Sequence, residues 1–331
     1  MAPVRVSVIV PTYKRPESLR HCLDALRRQD TQADEILVVA RRDDAPSLQV
    51  ITEYTGGCVV AVLIDVLAGS PGLVTAMNAG AAASSGDIVC LTDDDAAPHA
   101  DWITRIVAAF ADDASVGAAG GRDFVYHDGK PELGSAAVVG SVSWYGRVVG
   151  NHHLGVGSAR DVTVLKGVNL SVRGDVLRRI GFDTRLRGTS TEHHWEIGLC
   201  LRVARMGYRV IYDPAIAVDH TPQPRVDEAR EFRPHQVRDS AHNETLALLE
   251  HLGSVGSVVH LLLTVVVGTH DQPGLARATR RLGWNHEPSV RNVAANIRGR
   301  YLALATYMRS RQRAVVTAPV LPRLPDRRED A

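Results

Sequence analysis

Short apolar runs alternate with longer segments whose apolar residues recur every three or four positions through the first third of the chain. A compact apolar run is typical of a buried strand, and the longer repeat indicates one face of an amphipathic helix. Strands are predicted at residues 6–10, 35–39, 59–64, 88–91 and 116–121, with helices that begin near Pro16, Gly72 and Trp102. Strands that alternate with helices favour a parallel sheet with helices on both faces.

The alternation fails between residues 126 and 161, where Gly, Ser, His and aromatic residues dominate. A loop this long within a compact domain is usually functional or disordered, and we interpret it as a substrate-facing loop. Order resumes at residues 162–173, followed by predicted helices at 175–180 and 195–206 and strands at 208–212 and 215–220. The chain therefore returns to a mixed α/β pattern beyond the loop.

The character of the sequence changes after a break at residues 221–224, and helices are predicted for the remainder. Residues 255–267 are strongly apolar but too short to span a bilayer, and arginines are frequent downstream of them. This pattern suits an anionic membrane surface, although a solvated helix that packs its apolar side on the main domain explains it equally well. We predict a main domain at residues 1–221, a helical C-terminal region at 222–318 and a disordered tail at 319–331.

Composition narrows the classes of function. The 331 residues are 45% hydrophobic and 23% charged, as in ordinary globular proteins, and the net charge of +1 does not favour nucleic-acid binding. The four cysteines are far apart and form no CxxC pair, which favours buried free thiols in a reducing cytosol. We expect a cytoplasmic protein, because the chain shows neither a signal-peptide core nor a run of about 18 apolar residues.

Three consecutive carboxylates, Asp93, Asp94 and Asp95, closely follow the predicted strand at residues 88–91. Like charges this close repel one another, and a hard divalent cation such as Mg2+ removes the repulsion while it bridges to phosphates. The carboxyl end of a strand is also where open α/β sheets bind their ligands. The alternative is a solvated acidic turn that caps the next helix, but the neighbouring motifs favour the cation site.

These motifs, taken in chain order, resemble those of the family 2 glycosyltransferases over about residues 4–221. The resemblance rests on the strand and loop at residues 6–15, the glycine-containing segment at 72–80, the Asp cluster with Pro98 and Trp102, the segment at 167–183, and the Leu-Cys-Leu-Arg helix at 199–202 with Gly207 and Tyr208. It implies an α/β protein of the GT-A fold, with a Rossmann-like, mostly parallel sheet flanked by helices and a C-terminal helical extension. It also implies a nucleotide-sugar half at about residues 1–122 and an acceptor half at about 123–221.

On the donor side, the resemblance implies a nucleotide diphosphate sugar that carries UDP, GDP or dTDP. The residues it assigns to this ligand are Pro11, Thr12, Tyr13, Arg15, Asn78, Asp93 and Asp94. The family usually has an Asp directly after its second strand, but this position is Ala40 here, and either Asp43 or Asp44, a few residues further on, is expected to substitute. A divalent cation, Mn2+ or Mg2+, is expected on Asp95 and His220, as a Lewis acid for the leaving diphosphate.

The acceptor side departs from the family pattern at the catalytic base. The family has a Glu-Asp pair before its Leu-x-Leu-Arg helix, whereas this chain has Trp195 and Glu196 there. An inverting transfer needs one carboxylate to deprotonate the acceptor hydroxyl, and we assign that role to Glu196, with Glu192 as the second candidate. The resemblance places Gly167, Asn169, His194 and Trp195 on the acceptor side.

The sequence thus predicts a metal-dependent, inverting glycosyltransferase that moves a single sugar to a hydroxyl of a glycan, a lipid-linked or a small-molecule acceptor. By analogy we expect a role in cell-envelope, exopolysaccharide or glycoconjugate synthesis, with the C-terminal helices as a candidate contact to the inner face of the cell membrane. A processive synthase is disfavoured because the chain has neither a QxxRW segment nor several apolar spans.

Other classes of protein fit the sequence less well. One alternative is a protein of the same fold that only binds a nucleotide sugar or a partner. The pair Trp195 and Glu196, in place of the family's Glu-Asp pair, would then mark the loss of catalytic activity. A nucleotidyltransferase is disfavoured because the loop after the first strand contains no glycine. A redox Rossmann protein is disfavoured because no GxGxxG motif follows a predicted strand.

Overall fold

A ten-stranded β-sheet forms the centre of the computed structural model, which describes residues 3–55, 57–64, 72–188, 191–223, 233–269, 271–276 and 290–317. Its strands are β1 (Val6–Pro11), β2 (Glu35–Arg41), β3 (Val59–Ile64), β4 (Ile88–Leu91), β5 (Ala96–Pro98), β6 (Val116–His127), β7 (Lys130–Pro131), β10 (Arg160–Asp161), β11 (Leu170–Arg173) and β12 (Arg209–His220), while β8 (Ser141–Val142) and β9 (Val148–Val149) form a separate hairpin.

Helices connect and follow these strands. They are α1 (Pro16–Arg27), α2 (Ala45–Tyr54), α3 (Leu73–Ala83), α4 (Trp102–Ala111), α5 (Gly174–Ile180), α6 (Trp195–Arg205), α7 (Pro234–Leu249), α8 (Ser254–Val266) and α9 (Val290–Thr317), with short 3-10 turns at His152–Leu154 and Gly167–Asn169. Among the residues that the structure describes, no helix is long and apolar enough to cross a membrane.

The sheet is mixed but mostly parallel in its first half. Its order is β10-β12-β6-β11-β4-β1-β2-β3, with β5 paired to β12 and β7 paired to β6. The pairings among β1, β2, β3 and β4 are parallel, and so is the pairing of β6 with β12. Strand β11 lies antiparallel between β4 and β6, so it joins the two halves of the sheet.

Two apolar cores cover the two faces of this sheet, and β1 contributes to both. Val8 packs in the core with α1, α2 and α4, while its neighbour Ile9 packs in the core with α3, α5 and α6. Successive side chains of a strand point to opposite faces, so a strand covered on both sides is apolar at nearly every position. The uninterrupted apolar runs of the sequence have this physical cause.

The predicted alternation of strands and helices is confirmed, and the structure adds detail that the pattern did not reveal. Helix α2 was not predicted, and the strands expected at residues 208–212 and 215–220 are one strand, β12, with an irregularity after Asp213. The segment at residues 126–161 contains short strands and a 3-10 turn rather than one continuous loop. The tail predicted at residues 319–331 lies outside the described residues.

The C-terminal helices pack on the α/β part through α7. Helix α7 packs against both α6 and α9, and α8 packs against both α7 and α9. Ala247 and Leu248 of α7 belong to the same apolar core as the buried residues of α6. This packing brings the C-terminal region next to the N-terminus of α6, where Trp195 and Glu196 lie.

Candidate active site

The loop after β1 meets the Asp cluster after β4, because these strands are parallel neighbours and end at the same edge of the sheet. The Thr12 hydroxyl donates a 2.8 Å hydrogen bond to Asp94 Oδ2. The Arg15 guanidinium donates to Asp94 Oδ1 at 2.8 Å and to Asp95 Oδ2 at 2.9 Å. One cation of the chain therefore offsets part of the repulsion between adjacent carboxylates.

Asp94 is directed into the protein by these contacts. Burial raises the pKa of its carboxyl to about 7, and the positive charge of Arg15 opposes that rise. With both oxygens engaged by Thr12 and Arg15, Asp94 holds the loop after β1 to the end of β4.

Asp93, Asp95 and His220 converge on one point beside this loop. Each residue offers a ligand atom, and these atoms all lie within 4.8 Å of one another. Asp95 Oδ1 is buried and has no hydrogen-bond partner among the described residues, and it lies 3.5 Å from His220 Nε2. Carboxylate oxygens and an imidazole nitrogen suit Mn2+ or Mg2+, so this donor set fits a divalent cation.

Two residues that the sequence analysis missed hold His220 in place, namely Asp123 beside its imidazole and Lys166 beside Asp123. Asp123 is fully buried, its Oδ2 contacts the Lys166 ammonium, and the same oxygen lies 3.6 Å from His220 Nδ1. Burial alone would lower the pKa of His220, but contacts with Asp123 and Asp95 raise it to about 9. A metal ion on this imidazole would therefore have to displace a proton. The sequence signal that could have revealed Asp123 is that it is the single acidic residue in the largely apolar pattern of β6.

The loop around Tyr13 is fixed by Asp44. Asp44 is buried and accepts hydrogen bonds from the backbone N–H of Ser47 at 3.3 Å and of Lys14 at 2.5 Å. It thus caps α2 and holds Lys14 in the left-handed region, at a φ of 55°. Asp43 is exposed beside Arg41, and the Arg41 guanidinium lies 3.9 Å from the centroid of the Tyr13 ring. Pro11, another predicted donor contact, ends β1 directly before this loop.

Two asparagines that the sequence assigned to ligand binding have their amide groups bonded within the protein. Asn78 exchanges two hydrogen bonds with the backbone of Phe182, at 2.9 and 3.1 Å. Asn169 is buried, accepts from the Trp102 indole at 2.9 Å, and donates to the carbonyls of Arg122 and Ile216. Both amides join separate segments of the chain in this structure.

Replacing Asn169 with alanine should therefore lower the free energy of unfolding by about 3 kcal/mol, because it leaves an indole N–H and two carbonyls without their partner. Urea unfolding would measure the change. Asn78→Ala is the matched control: this residue is only partly buried and bonds to one backbone unit, so a loss of about 1 kcal/mol is expected. Equal losses in the two variants would contradict this structural role for Asn169.

Gly167 and Trp195 lie in contact on the predicted acceptor side. A Cβ atom at Gly167 would approach Trp195 Cζ2 to 2.3 Å, so this packing requires glycine. The Trp195 ring also stands edge-on to Phe182, with ring centroids 5.4 Å apart. Trp195 is thus a buried apolar wall at the first turn of α6.

The two candidate bases have different surroundings. Glu192 is buried at the N-terminus of α3, where its Oε2 accepts a 3.1 Å hydrogen bond from the Val74 N–H. Glu196 lies in the first turn of α6, and burial raises the pKa of its carboxyl. Charges on His194 and Lys166 oppose this rise, while Asp93 adds to it. Burial is thus the main influence on Glu196, and the charge of Asp93 acts in the same direction.

His194, the residue before α6, is held by the C-terminal helices. Its backbone is left-handed, with a φ of 67°, and its Nε2 lies 2.9 Å from the Ser240 hydroxyl of α7. The first turn of α6 thus takes its position partly from α7.

Sequence comparison relates the part of the chain that carries this site to a known family. The model described as Glycosyl transferase family 2 matches residues 7–143, a range that contains the loop after β1 and the Asp cluster. Residues 7–143 of the chain therefore match the family 2 glycosyltransferases. A curated relative, the glucosyl-dolichyl phosphate glucuronosyltransferase of Haloferax volcanii, is 27% identical over 226 residues, which cover 66% of this chain and 69% of the relative.

Solved structures show that this chain has the GT-A fold, as predicted. GalNAc-T7, solved with UDP, GalNAc and Mn2+, aligns with a TM-score of 0.58 at 11% identity, over 74% of this chain and 48% of that protein. Residues 1–349 of TarS from S. aureus, solved with UDP-GlcNAc, align with a TM-score of 0.54 at 17% identity, over 79% and 72% of the two chains. This chain thus spans about half the length of GalNAc-T7.

Proposed function

We propose that the chain is a family 2 glycosyltransferase that transfers a single sugar from a nucleotide diphosphate sugar to an acceptor hydroxyl, with metal dependence and inversion at the sugar carbon. The observation that carries the proposal is the convergence of Asp93, Asp95 and His220 beside the loop after β1. We retain residues 1–221 as the proposed transferase domain and residues 222–318 as its proposed helical extension.

The donor nucleotide is proposed to bind at the edge where β1, β2 and β4 end. Tyr13 stacked with Arg41 provides a flat surface for a base, and exposed Asp43 lies next to it. The proposed donor contacts remain Pro11, Thr12, Tyr13, Arg15, Asp43, Asp44, Asn78, Asp93 and Asp94. Within this set, Thr12, Asp44, Asp94 and Asn78 would act by fixing the backbone, since their polar atoms are already bonded inside the protein.

Asp93, Asp95 and His220 are the residues that would hold a divalent cation, Mn2+ or Mg2+. Once bound, such an ion supplies Lewis acidity that stabilises negative charge on the leaving diphosphate. Arg15 contributes positive charge to the same place, and Asp123 keeps His220 in position. The Mn2+ in the structure of GalNAc-T7 supports this part of the proposal.

Glu196 is proposed to remove the proton from the acceptor hydroxyl. Its pKa, raised by burial, and its place in the first turn of α6 support this role, whereas the carboxylate of Glu192 is engaged at the N-terminus of α3. A base acts only on a hydroxyl within hydrogen-bond reach, so the acceptor must bind against the first turn of α6. Four residues would shape the acceptor side, namely Gly167, Asn169, His194 and Trp195. Gly167 and Trp195 would do so by packing against each other.

The acceptor is proposed to be a hydroxyl of a glycan, a lipid-linked or a small-molecule compound in cell-envelope, exopolysaccharide or glycoconjugate synthesis. The name of the Haloferax relative, which refers to glucosyl-dolichyl phosphate, supports the lipid-linked class. A cytoplasmic protein that meets the inner face of the membrane would fit such an acceptor.

A panel of UDP, GDP and dTDP, each with and without Mn2+, tests the donor proposal through the melting temperature. A ligand at a hundred times its dissociation constant stabilises the native state by about 2.7 kcal/mol, so one nucleotide should raise the melting temperature clearly and only with metal. Asp95→Ala should remove the metal-dependent part of the shift. If no nucleotide shifts the wild-type protein under either condition, the proposed donor site is wrong.

A nucleotide-sugar-binding or partner-binding protein without transfer activity is the second candidate. The buried Trp195 at the family's Glu position is the observation that favours it. Release of a nucleoside diphosphate from its sugar, during transfer or hydrolysis, would exclude this candidate. A metal-dependent melting shift without any turnover would favour it.

A further inference from the structure

Helix α8 exposes an apolar side on the protein surface and turns the polar His260 toward the interior. Val255, Val258, Leu262 and Val266 recur at helical spacing on its outer side and are 72%, 58%, 60% and 46% exposed. We call these four residues the α8 apolar face. A surface helix normally turns its apolar stripe to the core, so an outward stripe of this length points to a partner.

The inner side of α8 is fixed by polar and close backbone contacts. His260 is buried, and its Nε2 lies 3.5 Å from the guanidinium of Arg300 in α9. The carbonyl of Thr264 accepts a 2.9 Å hydrogen bond from Asn296. A Cβ atom at Gly256 would lie 2.3 Å from the carbonyl oxygen of residue 144. Rotation of the apolar face toward the core would break these contacts, so the outward orientation is built into the packing.

The surroundings of the α8 apolar face indicate which partner it fits. Trp144, whose backbone packs against α8, is 66% exposed, and tryptophan is enriched at membrane interfaces. Residues 254–269 contain no Asp, Glu, Lys or Arg, and Val290–Thr317 contain six arginines and no acidic residue. Among the arginines whose side chains the structure describes, four are exposed, namely Arg291, Arg298, Arg309 and Arg311. Apolar and cationic surface together complement a bilayer with anionic headgroups.

We propose that the α8 apolar face lies in the interfacial region of an anionic lipid bilayer, with Trp144 beside it and the exposed arginines of α9 at the headgroups. The 13 residues of α8 make a helix about 20 Å long, shorter than a hydrocarbon core, so it lies in the plane of the interface. The surface recognises lipid and needs neither donor nor acceptor, so this proposal stands independently of the proposed transfer reaction.

A buried polar chain ties this surface to the proposed acceptor side. Arg300 is 1% exposed and donates hydrogen bonds to Glu244 at 2.7 Å and to Gln272. Gln272 donates to Ser240 at 3.0 Å, and Ser240 lies 2.9 Å from Nε2 of His194, the residue before α6. Breaking a buried ion pair is strongly destabilising, so α7, α9 and the start of α6 keep one arrangement. A protein docked through α8 would hold its acceptor side at a fixed position relative to the bilayer.

Vesicle flotation with the full-length chain tests the proposal. Vesicles of phosphatidylcholine alone are compared with vesicles that also contain phosphatidylglycerol, at low and high salt. Wild-type protein should float with the anionic vesicles, and salt should weaken this binding. Leu262→Glu and Val258→Glu should each reduce binding by about tenfold or more, and Arg298→Glu combined with Arg309→Glu should do the same.

Leu133→Glu is the matched control, because Leu133 is an exposed leucine (86%) outside the α8 apolar face. It should bind vesicles as the wild type does, and all variants should keep the wild-type melting temperature. The proposal is overturned if wild-type protein floats with neither vesicle, or if both α8 variants float as it does. It is also overturned if Leu262→Glu dissociates a dimer in sedimentation without changing flotation, since the face then pairs with a second copy.

Discussion

Replacing Asp95 with alanine should reduce metal-stimulated sugar transfer by about a thousandfold while the protein remains folded. Asp95 supplies a buried oxygen, Oδ1, to the cluster with Asp93 and His220. Its removal takes away one proposed ligand and one of the charges that orient His220. The fold should persist because Arg15 keeps its contact with Asp94 and His220 keeps its contact with Asp123.

The measurement is the initial rate of transfer as a function of Mn2+ concentration, together with a urea unfolding curve. Asp101→Ala is a suitable control, since Asp101 follows the same acidic stretch but forms a surface ion pair with Arg105. Such pairs contribute little, so Asp101→Ala should keep the wild-type rate. If the Asp95→Ala enzyme retains metal-stimulated transfer, Asp95 is not a ligand of the catalytic metal.

The sequence pattern was sufficient to predict the edge of the sheet where the candidate site lies. Apolar runs identify β1 and β4 as buried strands, and the carboxyl ends of parallel strands bring Thr12 and Asp94 together. This inference needs only strand direction and the rule that open α/β sheets bind ligands at that edge. The sequence pattern did not reveal Asp123, because the role of this residue depends on the pairing of β6 with β12, which places it beside His220.

Side-chain partners were the part that the sequence could not reveal. Asn78 and Asn169 lie in segments that resemble family motifs, yet each amide is bonded to backbone or indole groups far away in the chain. A motif gives a residue's type and position, whereas its hydrogen bonds depend on which segments the fold brings to it. Glu192 shows the same limit, because its contact with Val74 spans 118 residues.

Helix α8 shows a related limit of periodicity. An apolar repeat identifies a helix, but it does not specify which side the protein covers. The side that α8 turns inward is set by His260, whose neighbour Arg300 lies in a separate helix that begins at Val290. Only the assembled C-terminal helices reveal that the apolar stripe is the outer one.

Replacing Glu196 with glutamine should lower the rate of transfer by about a hundredfold to ten thousandfold and leave donor binding unchanged. Glutamine keeps the shape of the side chain but cannot accept the proton of the acceptor hydroxyl. Steady-state kinetics with nucleotide-binding measurements would separate the two effects. Glu192→Gln is the matched control, because its amide oxygen can still accept the Val74 N–H, so transfer should persist with a stability loss of about 0.3–1 kcal/mol.

The dependence of the rate on pH distinguishes a base from a structural carboxylate at Glu196. Burial raises the pKa of Glu196, with His194 and Lys166 opposing and Asp93 reinforcing the shift. Since only the ionised carboxylate accepts a proton, the turnover rate should fall as pH drops through this raised pKa, and that dependence should disappear from the residual rate of Glu196→Gln. A fully active Glu196→Gln enzyme would refute the assignment, and loss of transfer in Glu192→Gln instead would move the base to the N-terminus of α3.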